Sequence, residues 1–474
     1  MLAYALFLPA VTGFLLVCYF SRCDTGQSFF ERFSLGFGLG MGILTFEMFI
    51  TALLKIKFSL LILSLIQILT AVLCTWQLLK ANYSIKDILN ISLFNEEEVS
   101  FFKSSKVRSF FILIIAGWIL LKLLFVIYEG AVLPVNAWDS LDIWSSGAKF
   151  FFYEKGLALD PGNEHFFSKG YRTFPNYPLN VPLMQVWISI CLGDIHEVYM
   201  KYWDIVYFVG VVVLLFFSVK RESNLLIGIM AAFSVSTVPL LTRHALDAYA
   251  ELTLAYYALS AAICFQRYMK KSEQQIDNNY GFLLLIGMFA ALCLWTKMEG
   301  LFFTLALSAT LFLYAFLKKN PIRTFLTNIC VYLIPIIVIG TSWYVFLLFF
   351  SIGGRGVLIS PVVHCEVIRV ILDQIFLSAN FNIVFSFFLA IVSLGIGSIF
   401  NSELKYLLLP LLMVMGMYLS LYLATSEFVF ALNLEAVDRN ILTFIPLMYY
   451  ISALITAKLL SGYNAAHQKA QQCQ

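Results

Sequence analysis

Charge is what this chain has least of. Asp, Glu, Lys and Arg make up 12% of its 474 residues, whereas 61% are apolar and the mean hydropathy is +0.86. A soluble globular domain carries about 25% charged residues, so this composition excludes an ordinary soluble protein. The net charge of +3 is too small to indicate nucleic-acid binding. Recurrent apolar runs of about 20 residues instead predict an all-α integral membrane protein.

The sequence also lacks the short motifs of common soluble enzymes. It contains no P-loop, no HExxH, no GxSxG and no GxGxxG that opens a helix. Its nine cysteines form no CxxC pair, and most lie inside apolar runs, so we interpret them as packing residues. The histidines have no metal-ligand spacing, and we predict no metal site.

About thirteen apolar segments are long enough to cross a bilayer. They are 2–20, 33–54, 58–79, 109–128, 203–219, 224–241, 247–266, 280–296, 300–317, 325–350, 378–399, 405–424 and 440–458. The first run has no basic segment before it and no cleavage site, so we predict a retained helix and not a signal peptide. Two polar stretches, 80–108 and 129–202, interrupt the series.

Lys and Arg are concentrated in alternate loops, which predicts the orientation. The basic loops are assigned to the cytoplasm, so the N-terminus and the long loop 129–202 lie on the opposite side, periplasmic or lumenal. We divide the chain into three N-terminal helices with a cytoplasmic loop (1–108), a second transmembrane module (109–458) and a cytoplasmic tail (459–474).

The long outer loop begins with two acids in an aromatic setting. Asp139 and Asp142 stand beside Trp138 and Trp144, directly after an apolar span. The stretch predicts a helix that lies in the membrane interface, where aromatic side chains are favoured. The alternative is an amphipathic connector whose acids only cap and solvate it.

Ionisable residues recur at later outer boundaries. Arg243, Asp247 and Glu251 are spaced i, i+4, i+8, which predicts one helical face reaching into the membrane, where charge is costly and usually functional. The alternative is an intrahelical salt-bridge ladder. Lys297 and Glu299 occupy an outer turn, where the lysine either offers a positive charge to a phosphate or only snorkels to the surface. The same two interpretations apply to Arg439, at the start of the last span.

These elements, taken in order, resemble a known family. The acids after a membrane helix, the aromatic helix, the pair Tyr177 and Pro178, the D-x-Y-x-E stretch from Asp247 and the TK-x-EG turn at Lys297 are similar to elements of the GT-C superfamily. More narrowly, they resemble bacterial polyprenyl-phosphate-sugar-dependent transferases related to protein mannosyltransferases and the aminoarabinose transferase of lipid A. The resemblance covers residues 109–458, and the first three spans have no counterpart. It implies a GT-C-like fold with interfacial helices in the outer loop, a catalytic role for the module 109–458 and a location in the bacterial inner membrane.

The resemblance also implies a reaction and roles. The reaction is inverting transfer of a sugar from a polyprenyl-phosphate donor to a lipid, glycan or protein acceptor. A first-loop acid is the general base: by position Asp139, with Asp142 as alternative or helper, although the family's two acids are adjacent and these are not. The departing phosphate needs fixed cations, and the candidates are Lys297 and Arg439 first, then Arg243 and Arg355. The expected substrate groove comprises Trp138, Trp144, Tyr177, His244, Asp247, Glu251 and Glu299.

Two other functions stay open. With a monophosphate donor no cofactor is expected. A polymerase or ligase of the same fold that uses a diphosphate donor would instead need Mg²⁺ or Mn²⁺, which Asp139, Asp142 and Glu251 would hold. From a different class, a transporter or flippase of lipid-linked glycans would use Arg243, Asp247 and Glu251 to line a path. Transporters usually have inverted repeats and helices broken near the midplane, and the sequence indicates neither.

Overall fold

The computed structural model is helical throughout the residues that it describes. These are 1–22, 24, 26–81, 83, 98, 100, 105–169, 174–274, 280–319, 321–354 and 356–472, without the side chains of 168 and 464–472. Within them, the extended pairing is an isolated bridge between Ile359 and Thr425. Arg355, one of the predicted phosphate-binding residues, lies outside the described residues.

The helices follow one another with short connections. The first half contains α1 (Leu2–Phe20), α2 (Phe29–Leu53), α3 (Leu60–Lys80), α4 (Lys106–Val132), a π-helix (Ser140–Ser145), α5 (Ser146–Glu154), α6 (Asn180–Leu192), α7 (Tyr202–Glu222), α8 (Leu225–Ser236) and α9 (Pro239–Asp247). The second half contains α10 (Ala250–Glu273), α11 (Tyr280–Thr296), α12 (Gly300–Leu317), α13 (Ile322–Pro335), a second π-helix (Ile336–Gly340), α14 (Thr341–Phe349), α15 (Glu366–Phe376), α16 (Val384–Leu394), α17 (Ile396–Phe400), α18 (Leu404–Ala424), α19 (Phe428–Leu432), α20 (Val437–Leu442) and α21 (Ile445–Gln472).

Among the described residues, nine helices are long and apolar enough to cross a membrane. A bent pair, α8 and α9, makes a tenth span if it is counted as one. The chain is therefore an integral membrane protein. Nine of the thirteen predicted segments correspond to such helices, and the other four fall on the bent pair, on α10, on the shorter α11 and on α16 with α17. The count of thirteen is not reached by this criterion in the described part of the chain.

Several helices begin where a side chain satisfies the backbone. Ser28, Ser59 and Asn224 accept a hydrogen bond from the backbone N–H three residues further on, at the starts of α2, α3 and α8. The first N–H groups of a helix have no partner within the helix, so these caps stabilise each start. The short polar connections thus determine where the membrane helices begin.

Helices α1 and α2 approach each other closely through glycine. A Cβ atom on Gly40 would overlap the carbonyl oxygen of Pro9, and one on Gly13 would overlap backbone atoms of Gly36 and Gly40. In lipid, where apolar surface alone does not drive helices together, such close packing of small residues supplies the contact energy. The glycines of α2 are therefore required by the approach of α1.

We expect Gly40→Ala to destabilise the protein by about 1–3 kcal/mol, the usual cost of overfilling a packed contact. Thermal unfolding in detergent measures it. Gly416→Ala on α18 is the matched control, because no atom lies within 4 Å of a Cβ at that position, and it should leave stability unchanged or slightly higher. Equal unfolding temperatures for the two variants would contradict the close approach.

Charged side chains gather in two clusters at opposite ends of the helices. The first polar cluster comprises Asp139, Glu251, Lys297, Glu299 and Arg439, and the second comprises Asp24, Glu31, Arg221, Glu222 and Arg267. Helix α10 carries Glu251 at its start and Arg267 sixteen residues later. At 1.5 Å per residue this is about 24 Å along the axis, so the two clusters lie on opposite sides of the membrane-spanning region.

The second polar cluster ties four parts of the chain together. Nε of Arg267 donates to Asp24 (2.6 Å), and Nε of Arg221 donates to Glu222 (3.1 Å). Glu31 of α2 accepts from Arg221 and from Ser218. The sequence indicated mainly basic turns on this side; the structure adds buried acids that neutralise several of those cations. Because every acid is paired, we assign this cluster to stability.

Candidate active site

The main feature of the first polar cluster is an ion pair between distant parts of the chain. Nη1 of Arg439 donates to Oδ2 of Asp139, across 300 positions of sequence. Asp139 immediately precedes the π-helix Ser140–Ser145, and Arg439 lies on α20. Both side chains are about one-quarter exposed. One predicted base and one predicted phosphate-binding cation are thus in contact and accessible.

Arg439 is held in place by contacts on several sides. Its Nε donates to the carbonyl of Glu435 (3.0 Å), its backbone N–H donates to Oδ1 of Asp438 (2.8 Å), and its guanidinium lies 5.5 Å from the ring centre of Tyr249. The amide of Asn380 donates to the other oxygen of Asp438 (3.2 Å). These contacts orient the guanidinium before any substrate binds, which lowers the entropy cost of using it.

Tyr249 contributes an apolar wall with a polar tip to the cluster. Burial raises the pKa of its phenol to about 12, with Arg439 opposing and Asp139 reinforcing that shift. Its ring packs against the imidazole of His244, with centroids 4.7 Å apart. The phenol is therefore neutral at physiological pH, and the ring acts as a cation–π partner of Arg439.

Lys297 lies between two carboxylates. Its Nζ is 2.9 Å from Oε1 of Glu251 and 3.0 Å from Oε1 of Glu299, and its side chain is 8% exposed. Burial alone would lower the pKa of Lys297, but the two carboxylates more than offset it and raise that pKa well above its usual range. Lys297 is therefore charged, and its nearest partners are protein acids. Arg439 is the more accessible cation of the two predicted first.

The prediction that Arg243, Asp247 and Glu251 share one helical face is wrong. Helix α9 ends at Asp247, Ala248 adopts a left-handed conformation (φ 57°), and α10 starts at Ala250. Arg243 pairs with Asp247 (3.3 Å) and is 71% exposed, while Glu251 turns inward to Lys297. The break arises because a left-handed residue cannot continue a right-handed helix. Glu251 thereby joins the ion-pair cluster.

Two buried polar atoms in the cluster face each other without bonding. Nδ1 of His244 lies 3.9 Å from Oε2 of Glu251, and neither atom has a hydrogen-bond partner among the described residues. Both side chains are 2% exposed. Buried polar groups are nearly always hydrogen-bonded, so these two atoms are the unsatisfied polar groups next to the Lys297–Glu251 ion pair.

The predicted aromatic groove residues divide into two kinds. Trp138 is 79% exposed, whereas Trp144 is 2% exposed and packs edge-on against Tyr177 with centroids 5.4 Å apart. Burial, reinforced by the nearby Glu299, raises the pKa of Tyr177. Trp144 and Tyr177 thus connect the π-helix to the Lys297 side of the cluster, while Trp138 is free to meet lipid or ligand.

On the side of the first polar cluster, the sequence analysis missed two buried ionisable residues, Lys201 and Asp204. Lys201 donates to the carbonyls of Leu246 (2.8 Å) and Pro134 (3.5 Å), and Asp204 is fully buried three residues later. The hydroxyl of Ser140 likewise donates to the carbonyl of Asp247. Together these contacts fasten the loop before Asp139 to the end of α9. The sequence signal that could have revealed Lys201 and Asp204 is a pair of opposite charges at the start of an apolar helix, where charge is costly.

A Ser–His–Glu array outside the cluster has a different role. Ser360 Oγ lies 2.9 Å from Nε2 of His364, and Nδ1 lies 3.0 Å from Glu366. However, Glu366 is 55% exposed, and the Ser360 hydroxyl already accepts from the backbone of Val362. A triad needs an oriented, water-shielded acid, so we interpret the array as stabilising its loop. Among the described residues no group of three or more His, Cys, Asp or Glu side chains could hold a metal ion.

Comparison with known proteins gives a distant likeness. No family model matches the sequence, and no curated protein sequence matches it. Among solved structures, the chain is similar to the crystal structure of ArnT from Cupriavidus metallidurans in the apo state, with a TM-score of 0.42 and 14% identity. The match covers 72% of this chain and 59% of that chain. A likeness of this size assigns neither a family nor an activity.

Proposed function

We propose that the chain is a membrane glycosyltransferase of the GT-C type, which transfers a sugar from a polyprenyl-phosphate donor to a lipid, glycan or protein acceptor on the non-cytoplasmic side. Asp139 is the general base and Arg439 stabilises the departing phosphate. The first polar cluster is the reaction centre. The helices that carry it lie within the predicted catalytic module, residues 109–458.

The observation that carries this proposal is the Asp139–Arg439 ion pair. A base and a cation are the two groups that transfer from a sugar phosphate needs, because the lipid phosphate is already a good leaving group. They are in contact at one end of a membrane-spanning fold, where an isoprenoid-linked phosphate would meet the protein. Asp142 was the other candidate base; the contact with Arg439 favours Asp139.

In the proposed step, an acceptor hydroxyl or amine attacks the anomeric carbon while the bond from that carbon to the phosphate oxygen breaks. Asp139 accepts the acceptor's proton through Oδ1, since Oδ2 is used in the ion pair. The electron pair of the broken bond leaves with the polyprenyl phosphate, and the guanidinium of Arg439 neutralises that charge. One displacement inverts the anomeric carbon.

His244 and Glu251 are proposed to bind the sugar. A hydroxyl group that lies beside Nδ1 of His244 and Oε2 of Glu251 and bridges the two would satisfy both atoms, and buried polar atoms gain most from such a partner. Lys297 then has a positioning role, because it holds Glu251 by its other oxygen. Arg439 thus stabilises the departing phosphate, whereas Lys297 positions Glu251.

Arg439→Gln is expected to lower kcat/KM for the donor by about 10²-fold, the usual cost of removing one preorganised group that stabilises developing charge. The measurement is release of polyprenyl phosphate from a panel of synthetic polyprenyl-phosphate sugars by the full chain in proteoliposomes containing a membrane extract. Arg439→Lys should recover only part of the activity, because lysine lacks the planar fork.

Arg369→Gln is the matched control for Arg439. This arginine is 90% exposed and its described ion pair is a weak i, i+4 contact with Asp373 at 3.8 Å. Its replacement should leave transfer unchanged. Wild-type transfer by Arg439→Gln would remove Arg439 from the reaction centre.

One observation favours the transporter alternative. Helices α8 and α9 meet at a 63° bend, about 18 Å along α8 from its start, and transporters often have helices broken at such a depth. Against it, Asp139 and Arg439 lie at one end of the helices and not along a path. A transporter would move lipid-linked glycan across proteoliposomes without releasing polyprenyl phosphate, and the assay above separates the two outcomes.

A further inference from the structure

A polar cleft of about 470 Å³ lies beside the turn between α2 and α3. It is lined by residue 52, residues 55–57 and residues 154–161. Its two walls are joined by a hydrogen bond from the backbone N–H of Phe58 to the carbonyl of Lys155 (2.7 Å). Phe58 and Leu157 are both buried at this junction. The cleft is therefore a fixed part of the fold.

Three lysines, Lys55, Lys57 and Lys155, line the cleft without partners. Among the described residues none of them forms an ion pair or a side-chain hydrogen bond. Glu154 and Asp160 are the carboxylates of the lining. Three lysines and two carboxylates leave the cleft with a net charge of +1.

The backbone of the cleft is unusual. Lys55, Lys155 and Ala158 all have positive φ angles, at 59°, 52° and 49°. Residues other than glycine rarely adopt this conformation, but a left-handed residue is a common way to end a helix. At Lys55 and Lys155 it ends α2 and α5, where the N–H groups of residues 55, 56, 155 and 156 donate to carbonyls of the last helical turn. The helix ends thus fix where the two lysine-bearing turns begin.

The position of the cleft relative to the membrane follows from the short connection between α2 and α3. Both α2 and α3 are long and apolar enough to cross the membrane, and only residues 54–59 connect them, so the turn must lie at the membrane surface. Leu54 and Leu61 are 66% and 70% exposed beside it. The lysines therefore lie at the level of lipid phosphates, and the leucines at the level of acyl chains.

We propose that this cleft binds the head group of a singly anionic phospholipid of the phosphatidylglycerol class. The lysines hold the phosphodiester, and the glycerol hydroxyls donate to Glu154 and Asp160. One negative charge on the lipid matches the net charge of the cleft. The site is distinct from Asp139, because α5 and the π-helix separate the two by about 20 Å along their axis, and it does not depend on sugar transfer.

The test is native mass spectrometry of the delipidated full chain in detergent, with phosphatidylglycerol, phosphatidylethanolamine or phosphatidylcholine added. Phosphatidylglycerol should be retained best and phosphatidylcholine, which has no hydroxyl donor, least. The variant Lys55→Asn/Lys57→Gln/Lys155→Asn should lower retention of phosphatidylglycerol by about tenfold or more. Asparagine is used at the two positive-φ positions because it tolerates that conformation.

The matched control is Lys106→Gln/Lys169→Gln/Lys319→Asn, which removes three exposed lysines elsewhere, with asparagine at the positive-φ position 319, and should not change retention. Equal losses in both triple variants would show a non-specific charge effect and overturn the site. Displacement of the lipid by an excess of inorganic phosphate would show a site for free phosphate and would overturn the lipid assignment. An unchanged unfolding temperature of the cleft variant confirms that its fold is intact.

Discussion

Replacing Asp139 with asparagine is expected to lower the rate of sugar transfer by about 10²- to 10⁴-fold, the usual contribution of a general base. Asparagine has nearly the same shape and its carbonyl can still accept a hydrogen bond from Arg439, but it cannot take a proton. The fold and donor binding should therefore persist while the chemical step fails. The rate is measured in single turnovers with saturating polyprenyl-phosphate sugar.

Asp142→Asn is the control for this prediction. Asp142 lies half-buried in the π-helix that Asp139 precedes, and the variant should retain most of the activity. The opposite result, loss with Asp142→Asn and retention with Asp139→Asn, would transfer the role of base to Asp142. Full activity in both variants would mean that neither aspartate is the base and would refute the proposed mechanism.

The second large effect is expected from Lys297→Met. Removing the lysine leaves Glu251 buried without its cation, which typically costs about 3–5 kcal/mol. Thermal unfolding in detergent should show this loss, and transfer should fall because Glu251 is no longer held. Lys297 would thus act through stability and positioning and not as the main phosphate ligand.

A double variant separates the two roles of Lys297. Lys297→Met/Glu251→Gln removes both charges and should be clearly more stable than Lys297→Met alone, since the fully buried charge of Glu251 is gone and only the more exposed Glu299 then lacks its cation. If Lys297→Met leaves stability unchanged and abolishes donor binding, Lys297 is instead the phosphate ligand that the sequence suggested. A stability loss that the double variant restores is expected if Lys297 is buried against Glu251. A loss of donor binding alone is expected if the lysine reaches the substrate.

Much of the fold could be predicted, because the signal is local. An apolar run of about 20 residues predicts a membrane helix wherever it occurs, and nine predicted segments correspond to such helices among the described residues. The prediction of helix boundaries failed where a helix bends or breaks within an apolar run. The bend between α8 and α9 and the break at Ala248 depend on single residues within apolar sequence, and hydropathy averages over them.

The candidate site was predicted as a set of residues without their pairings. Asp139, Lys297, Glu251 and Arg439 were all chosen from their charge at a membrane boundary. Charge at that position does not say which residue neutralises which. Lys297 was expected to be available to a phosphate. In the structure it pairs with Glu299 of its own turn and with Glu251 of α10. The contact with Glu251 depends on how α10 packs beside that turn.

The sequence by itself determined that this protein is helical and spans a membrane, and it singled out the aspartates that follow the fourth apolar run. Those properties depend on composition and on residues near one another. Only the tertiary structure decided that Asp139 meets Arg439, that Glu251 turns inward to Lys297 and that three unpaired lysines surround one cleft. Each of these contacts joins segments distant in the chain, and their approach is fixed by the packing of the helices between them.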